Sequence, residues 1–335
     1  MDLQTLNRFD TEKMYSIYDE WPNISKESFN SELTKCDIKG IDHVIFAGMG
    51  GSGSIGDTIT AIFSKKDIHV NVVKGYELPK TVDSNSLVIA TSVSGNTDET
   101  LEVLKTVKKT GAKTIGFSSG GLMENYCKKN KILFQNIPMI HSPRASFTRF
   151  LYSILNILGP ILPIEKQEIQ ESISSLYNIK NNIFSENLTK ENKALELAEF
   201  SRKIVAIYYP AGLQATAIRY KNCLQENAKM HVMIEDVIES CHNGIVSWEK
   251  KSEVKPVMIQ GSDDHEKTKE RWKILEDFFD SKDIEYIKIN SIQGNILSKI
   301  VNLNYLLDYS SIYTAVLNEI DPSPVKSIEY IKSRL

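Results

Sequence analysis

A glycine-rich turn has the residue types and spacing of an anion-binding site. The run from Gly48 to Gly53 (GMGGSG) follows an apolar stretch that ends at Phe46 and precedes a helical pattern through Ile59. A strand, a glycine-rich turn and a helix in this order aim backbone N–H groups and a helix N-terminus at an anion. The glycines allow a ligand to approach the backbone closely, and Ser52 adds a hydroxyl. The sequence therefore predicts an anion site at this turn.

Two kinds of anion fit the turn. The spacing Gly48-x-Gly50-x-x-Gly53 matches the dinucleotide-binding fingerprint. That fingerprint also requires an acidic residue after the second strand, to hold the ribose hydroxyls, but the strand-like run that ends at Val73 is followed by Lys74. A small phosphate ester needs only close backbone approach, a hydroxyl and a helix N-terminus. A tight turn without a ligand is the remaining interpretation, and five glycines in nine residues count against it.

A second loop favours the phosphate ester. The run from Ser92 to Thr97 (SVSGNT) follows an apolar strand-like segment and leads into a helical pattern. Hydroxyls around a glycine at a helix N-terminus form another anion cradle. Ordinary helix capping would account for Asn96 or Thr97, but not for Ser92 and Ser94 upstream. Because dinucleotide folds do not require this loop, we expect a phosphomonoester held from two adjacent strand ends.

The elements that must position these loops alternate between short apolar runs and helical patterns. In the first half of the chain, the pattern predicts strands near 41–47, 68–73, 86–92, 112–117 and 131–136 and helices near 54–65, 97–110 and 119–128. Such alternation is typical of a parallel sheet covered by helices on both faces. Sites in these sheets lie at the carboxyl ends of the strands, where both loops occur.

The second half repeats this alternation after a helical stretch over 146–182 that is broken at Gly159-Pro160. The pattern there predicts strands near 204–208, 257–259 and 284–289 and helices near 212–228, 265–280, 292–318 and 324–334. The expected fold class is therefore α/β, with two stacked domains that each contain a mostly parallel sheet flanked by helices.

Composition excludes several classes of protein. The chain of 335 residues is 41% hydrophobic and 25% charged, as is typical of soluble globular proteins. Its net charge of -3 and the absence of a dense Lys/Arg stripe in the sequence argue against nucleic-acid binding. The four cysteines form no C-x-x-C pair, which favours a reducing compartment. Without a secretory leader or an apolar run near ~18 residues, we expect a cytoplasmic protein with no membrane span.

Together, the two loops resemble those of the sugar isomerase (SIS) domain, and the chain resembles the bifunctional phosphoglucose/phosphomannose isomerases of archaea and some bacteria. The GMGGSG run with Gly56-Asp57 and the segment 92–100 (SVSGNTDET) carry the resemblance, although Val93 stands where the family usually has an aromatic residue. The resemblance covers most of the chain and implies two SIS subdomains, which we place at residues 1–153 and 154–335. It also implies that a sugar 6-phosphate is bound by Gly50, Gly51, Ser52, Ser92, Ser94 and Thr97.

Glu226 is the catalytic base that the resemblance implies. Moving a proton between C1 and C2 of an open-chain sugar requires a base. Glu226 and Lys229 are similar to the family's Glu-x-x-Lys motif, with Gln225 where the family often has asparagine. From helical periodicity alone, Glu226 lies on the face opposite Leu224, and an exposed glutamate is favoured. For Glu226 to act, that face must be buried against another domain or subunit.

The segment from His242 (HNGIVSWE) resembles the family's His-Asn-x-Ile-x-x-Trp-Glu block. The resemblance implies that His242 assists ring opening in the site of the neighbouring subunit, and hence that the protein is a homodimer. From the residues alone, a lone histidine is more often structural. A metal site with Cys241 is disfavoured because no third ligand lies at a useful spacing.

Two basic residues complete the implied site. The resemblance gives Arg144 the stabilisation of the enediolate, a role that suits a fixed guanidinium; the alternative is an exposed arginine in a helix-capping turn. Lys332 matches the family's C-terminal lysine, which helps to open the ring. Lys326 is the other candidate for that lysine, and both are otherwise read as solvated cations.

The implied activity is interconversion of glucose 6-phosphate and mannose 6-phosphate with fructose 6-phosphate through a cis-enediol, without a metal or an organic cofactor. A non-catalytic sugar-phosphate sensor is the alternative, but residues 1–40 are too short and insufficiently basic for the DNA-binding module that such sensors usually carry. An aminotransferring isomerase would need an N-terminal amidotransferase domain. An NAD-dependent dehydrogenase is disfavoured by Lys74, as argued from the fingerprint.

Overall fold

The structure is a computed structural model that describes residues 1–35, 38–64 and 66–334. Cys36, Leu335 and position 65, where the sequence predicts the first sheet helix to end, lie outside the described residues. The strands, in chain order, are β1 (His43–Ala47), β2 (His69–Val73), β3 (Ser86–Thr91), β4 (Lys113–Ser118), β5 (Leu133–Asn136), β6 (Val205–Tyr209), β7 (Val232–Asp236), β8 (Lys255–Gln260) and β9 (Ile287–Asn290).

The helices precede, connect and follow these strands. In chain order they are α1 (Leu3–Phe9), α2 (Met14–Asp19), α3 (Trp21–Phe29), α4 (Gly50–Phe63), α5 (Asp98–Val107), α6 (Gly121–Asn130), α7 (Phe147–Leu158), α8 (Lys166–Ile183), α9 (Lys193–Phe200), α10 (Gln214–Asn227), α11 (Val237–Ser240), α12 (Glu266–Ser281), α13 (Ile296–Leu317) and α14 (Lys326–Lys332). A 3-10 helix, Gly244–Glu249, follows α11. Within the described part of the chain, none of the helices has both the length and the apolar character that crossing a bilayer requires.

The chain divides into two compact units. The first unit is Glu20–Ser174, and the second unit combines Met1–Asp19 with Ser175–Leu335. These units are defined by internal packing and are not the SIS subdomains that the sequence analysis predicts. The division into subdomains at 1–153 and 154–335 stays a prediction.

The first unit contains a parallel sheet with the strand order β2-β1-β3-β4-β5. Every residue of β1 and of β3 is buried, as their unbroken apolar runs indicate for strands covered on both faces. Strand β1 pairs directly with β3, so that Ala47 lies opposite Ala90. The turns that follow these two strands therefore lie at the same edge of the sheet, and these turns are the two predicted anion loops.

The second unit contains a parallel sheet with the strand order β7-β6-β8-β9. The sequence prediction missed β7 because this edge strand (VMIED) is half-exposed and has no continuous apolar run. It also missed the short helix α9. Helix α13 is buried at every position from Leu297 to Val316, including its polar residues. The α/β fold class, with mostly parallel sheets flanked by helices, is confirmed.

Candidate active site

The turn after β1 packs against the end of β3 because Gly48 has no side chain. The Gly48 N–H donates to the carbonyl of Val73 at 3.1 Å, which ties the turn to the end of β2. A Cβ on Gly48 would lie 2.9 Å from the carbonyl oxygen of Thr91, the last residue of β3. Cβ atoms do not approach backbone so closely, so a side chain here would push the two loops apart.

Helix α4 begins at Gly50, earlier than the predicted start near residue 54. Gly50 has φ +51, in the left-handed region that glycine adopts readily. Gly51 and Ser52 therefore lie in the first turn of the helix, where N–H groups have no carbonyl partner within the helix. The glycine run is thus the N-terminus of the helix itself rather than a turn ahead of it.

The second loop carries a pair of bonded hydroxyls. The Ser92 and Thr97 hydroxyl oxygens lie 2.8 Å apart. Thr97 is the N-cap residue of α5, yet within the described residues its side chain makes no capping hydrogen bond. The Ser94 hydroxyl accepts from the Asn96 N–H at 3.3 Å. The capping role that the sequence allowed for Thr97 is therefore not what its described contacts show, and the Ser92 and Ser94 hydroxyls make hydrogen bonds within the loop.

Glycine and asparagine fix the shape of this loop. The Gly95 N–H donates to the Ser92 hydroxyl at 3.1 Å, and Gly95 has φ +73. A Cβ on Gly95 would lie 1.9 Å from the carbonyl oxygen of Gly120, so only glycine fits. The Asn96 side-chain oxygen accepts from the Leu122 N–H at 3.0 Å. The loop is therefore held by the turn between β4 and α6.

Lys74 stands where a dinucleotide site would require an acid. Its Nζ lies 2.6 Å from a carboxylate oxygen of Asp57, on α4. Its Cε would lie 3.1 Å from a Cβ on Gly53, so the lysine stem covers the first turn of the helix. An ammonium has no acceptor, so Lys74 cannot accept the hydrogen bonds of ribose hydroxyls.

Arg144 is buried beside the glycine run. Its side chain is only 3% exposed, so the alternative of an exposed arginine in a capping turn is wrong. A Cβ on Gly51 would lie 3.2 Å from the carbonyl oxygen of Pro143 and 3.5 Å from the Cα of Arg144. The backbone of the Arg144 loop therefore lies directly against the first turn of α4.

Two residues that the sequence analysis did not select hold this loop. The Ser146 hydroxyl accepts from the Ile140 N–H at 2.9 Å and lies 3.0 Å from the Ile140 carbonyl oxygen. The Trp21 indole N–H donates to the Ala145 carbonyl at 3.0 Å. Trp21 lies 124 residues from Ala145 in the sequence, so local spacing gives no signal of this contact.

In the second unit, the polar face of α10 is buried by α13. Arg219, 2% exposed, is hydrogen-bonded to the carboxylate of Asp308. The Cys223 thiol donates to the same carboxylate at 3.3 Å, and the Asn227 amide donates to the Ser311 hydroxyl at 2.8 Å. Burial raises the pKa of the Asp308 carboxyl, and the Arg219 guanidinium opposes that rise. Periodicity alone therefore assigned the wrong environment to this face.

Glu226 lies one residue before Asn227 and is half-buried, not exposed as its helical position alone favours. The helix ends at Asn227, and Lys229, two residues later, has φ +57. The Lys229 ammonium donates to the Glu226 carbonyl at 2.6 Å and to the Pro322 carbonyl at 3.3 Å. The end of α10 is therefore tied to the segment that leads into α14.

His242 is exposed in the turn between α11 and the 3-10 helix. The backbone N–H of His242 donates to the Glu239 carbonyl at 2.9 Å, and the side-chain amide of Asn243 donates to the Glu239 carboxylate at 2.7 Å. A Cβ on Gly244 would lie 2.1 Å from a carboxylate oxygen of Glu235, so a side chain here would displace the Glu235 carboxylate.

Trp248 anchors the far end of this segment. It is buried, and its indole N–H donates to the Tyr208 hydroxyl at 2.8 Å. Burial raises the pKa of Tyr208 to about 12, so the phenol stays protonated at neutral pH. Trp248 therefore anchors the 3-10 helix that follows the His242 turn.

The two candidate C-terminal lysines lie at opposite ends of α14, and both are exposed. Exposure does not distinguish Lys332 from Lys326. The predicted phosphate-binding residues and Arg144 thus come together in the first unit, whereas Glu226, His242 and Lys332 belong to the second unit. Among residues 1–35, 38–64 and 66–334, no three His, Cys, Asp or Glu side chains are grouped as metal ligands would be.

Comparisons with known proteins find matches along most of the chain. Residues 37–140 match a family model described as the SIS domain, and residues 190–335 match that of the bacterial phospho-glucose isomerase C-terminal SIS domain. The chain is 33% identical to a bifunctional phosphoglucose/phosphomannose isomerase from Caldicellulosiruptor bescii, over 88% of this chain and 90% of that protein. It is 30% identical to a protein of the same name from Aquifex aeolicus, over 94% of each chain.

A solved structure supports the fold at lower sequence identity. The C-terminal domain of glucosamine-fructose-6-phosphate aminotransferase from Francisella tularensis superposes with a TM-score of 0.69 and 17% identity. The match covers 92% of this chain and 96% of that one. At this identity the similarity establishes the fold alone.

Proposed function

The chain belongs to the bifunctional phosphoglucose/phosphomannose isomerase family, and from this we propose that it interconverts glucose 6-phosphate and mannose 6-phosphate with fructose 6-phosphate. The reaction is an aldose–ketose isomerisation through a cis-enediol. It needs a phosphate-binding site, a base, a cation beside the enediolate oxygens and groups that open the sugar ring.

The observation that carries the proposal is the contact between the two anion loops. Gly48 brings the N-terminus of α4 against the end of β3, where the Ser92 and Thr97 hydroxyls lie 2.8 Å apart. A phosphate has enough acceptor oxygens to bind backbone N–H groups from one loop and hydroxyls from the other. The proposed 6-phosphate ligands are Gly50, Gly51, Ser52, Ser92, Ser94 and Thr97.

The proposed chemistry uses one base and one fixed cation. Glu226 takes the proton from C2 of the open-chain aldose and returns it to C1, and the reverse reaction runs the same path. Arg144 stabilises the enediolate oxygens, because a guanidinium stays charged even where it is largely desolvated. Rotation about the C2–C3 bond of the intermediate presents either face of C2, so that one base serves both aldoses.

Ring opening requires proton transfer to and from the ring oxygen and the C1 hydroxyl. We assign this to His242 together with Lys332, with Lys326 as the alternative lysine. The exposure of His242 supports its contribution to the site of a neighbouring subunit in a homodimer. The proposal includes a cytoplasmic location, no metal or organic cofactor, and no nucleic-acid or membrane partner.

A coupled assay tests the proposal directly. Purified protein is given fructose 6-phosphate in the presence of a chelator, and the formation of glucose 6-phosphate and mannose 6-phosphate is measured separately. We expect both products to form. Binding of fructose 6-phosphate without turnover would overturn the enzymatic proposal.

A further inference from the structure

Lys229 follows the C-cap residue of α10, Ala228, in a backbone conformation that usually selects glycine. Its φ is +57, in the left-handed region, where a Cβ crowds the neighbouring carbonyl. The Met230 N–H donates to the Leu224 carbonyl at 3.3 Å, so the conformation is part of the helix termination. Glycine would adopt this conformation more readily, so the contacts of the lysine side chain decide whether it has a role here.

The side chain bonds two carbonyls from different elements. The ammonium donates to the Glu226 carbonyl at 2.6 Å and to the Pro322 carbonyl at 3.3 Å. A lysine ammonium has three donors and no acceptor, so it can serve both oxygens at once. The first bond holds the peptide of the proposed base, and the second reaches the segment that leads into α14.

The segments that carry the Glu226 and Pro322 carbonyls are themselves held by hydrogen bonds. Next to Glu226, the Asn227 amide donates to the Ser311 hydroxyl of α13 at 2.8 Å. Next to Pro322, the Asp321 carboxylate accepts from the Thr11 hydroxyl at 2.6 Å and from the Ser323 N–H at 2.9 Å. Lys229 therefore links two backbone segments, at Glu226 and at Pro322, that are each held by further hydrogen bonds.

We propose that Lys229 is a positioning residue for the isomerase reaction. Its ammonium holds the Glu226 peptide and the start of the α14 segment at one separation, so that the base and the α14 lysine keep a constant spacing. This inference rests on the proposed function. Lys229 acts through Glu226 and is not assigned any contact with the substrate.

Lys229→Gly is the decisive variant, because glycine adopts the left-handed conformation readily but lacks the ammonium. We expect the thermal midpoint to stay the same or rise. A misplaced reacting group is costly, so we expect kcat to fall roughly ten- to hundredfold. The KM for fructose 6-phosphate should change less than about twofold, since the phosphate ligands are untouched.

Lys131→Gly is the matched control. Like Lys229, Lys131 is an exposed lysine with positive φ, at +55, at the end of a helix, but it lies at the end of α6 in the first unit. We expect Lys131→Gly to alter the thermal midpoint as Lys229→Gly does and to leave kcat unchanged. Lys229→Arg, which keeps a cationic donor, should recover much of the lost kcat, whereas Lys229→Met should not.

The outcomes separate the two proposals. If the wild-type protein isomerises fructose 6-phosphate and folded Lys229→Gly does so at the same kcat, the positioning role is wrong and the proposed function stands. The same conclusion follows if Lys229→Met matches Lys229→Arg. A wild-type protein without isomerase activity overturns the proposed function, and with it the role of Lys229.

Discussion

The hydroxyls of Ser92 and Thr97 are hydrogen-bonded to each other at 2.8 Å, at the start of α5. Either oxygen can donate in this pair, so one hydroxyl can turn its proton to a bound anion while the other maintains the link. The Gly95 N–H also donates to Ser92, which holds the serine in place without the ligand. The pair is therefore arranged before the substrate arrives, which reduces the entropic cost of binding.

Replacing Ser92 with alanine is expected to weaken substrate binding more than it slows the chemistry. A hydrogen bond to a charged group contributes about 1.5–3 kcal/mol, so the KM for fructose 6-phosphate should rise roughly tenfold or more. The phosphate does not react, so its contacts are equally strong in the ground state and in the transition state, and kcat should change little. Initial rates over a range of substrate concentrations measure both constants.

Thr97→Ser is the control for this experiment. It keeps the hydroxyl, so its KM should stay within about twofold of wild type. A Ser92→Ala protein that loses kcat at constant KM would contradict the assignment of this loop to the phosphate.

Replacing Arg144 with lysine is expected to lower kcat. Lysine keeps the charge but concentrates it in one ammonium, which loses the flat, two-pronged geometry of a guanidinium. Losing a preorganised donor to a developing oxyanion costs about 10²–10³ in kcat in other enzymes, and we expect a fall of that order. Arg149→Lys, on α7, is the control and should retain activity. Wild-type kcat in a folded Arg144→Lys protein would exclude the enediolate role.

Replacing Glu226 with glutamine is expected to slow isomerisation strongly while preserving substrate binding. Glutamine has the same shape but cannot accept the C2 proton, and loss of a general base typically costs 10²–10⁴ in rate, so we expect a fall of about that size. Exchange of substrate hydrogen with deuterated water, followed by NMR, measures the proton transfer itself. Gln225→Ala, at the exposed neighbouring position, should be fully active. Substantial exchange in a folded Glu226→Gln protein would rule out Glu226 as the base.

Much of the local structure around the first unit's candidate site could be predicted from the sequence because its signals are local. The GMGGSG and SVSGNT runs place glycines and hydroxyls within a few residues of each other, directly after apolar strands. The apolar runs themselves predicted the parallel sheet, since strands covered on both faces show no alternation. The start of α4 was wrong by four residues (54 against 50) because glycines are poor helix formers by propensity. Here close packing against the sheet overrides that propensity, since a Cβ on Gly56 would lie 2.8 Å from the Cβ of Phe46 in β1.

The second unit was harder to predict because its important contacts are distant in sequence. Arg219 and Asp308 are 89 residues apart, and their pairing buries a helix face that periodicity alone marks as exposed. Strand β7 was missed because an edge strand with exposed positions has no distinctive pattern. The contact between Trp21 and the Arg144 loop was missed for the same reason of sequence distance.

The buried pair of Arg219 and Asp308 makes a prediction about stability. Both side chains are at most 2% exposed, so removing one partner leaves a charge in a poorly solvated environment. Asp308→Ala should therefore destabilise the protein by about 3–5 kcal/mol. Replacing both partners with apolar residues, Arg219→Met with Asp308→Leu, should cost less than about 1 kcal/mol, because no charge remains to be solvated. Urea denaturation followed by circular dichroism measures both variants. A double variant as unstable as Asp308→Ala would show that the pair stabilises the fold beyond compensating for its own burial.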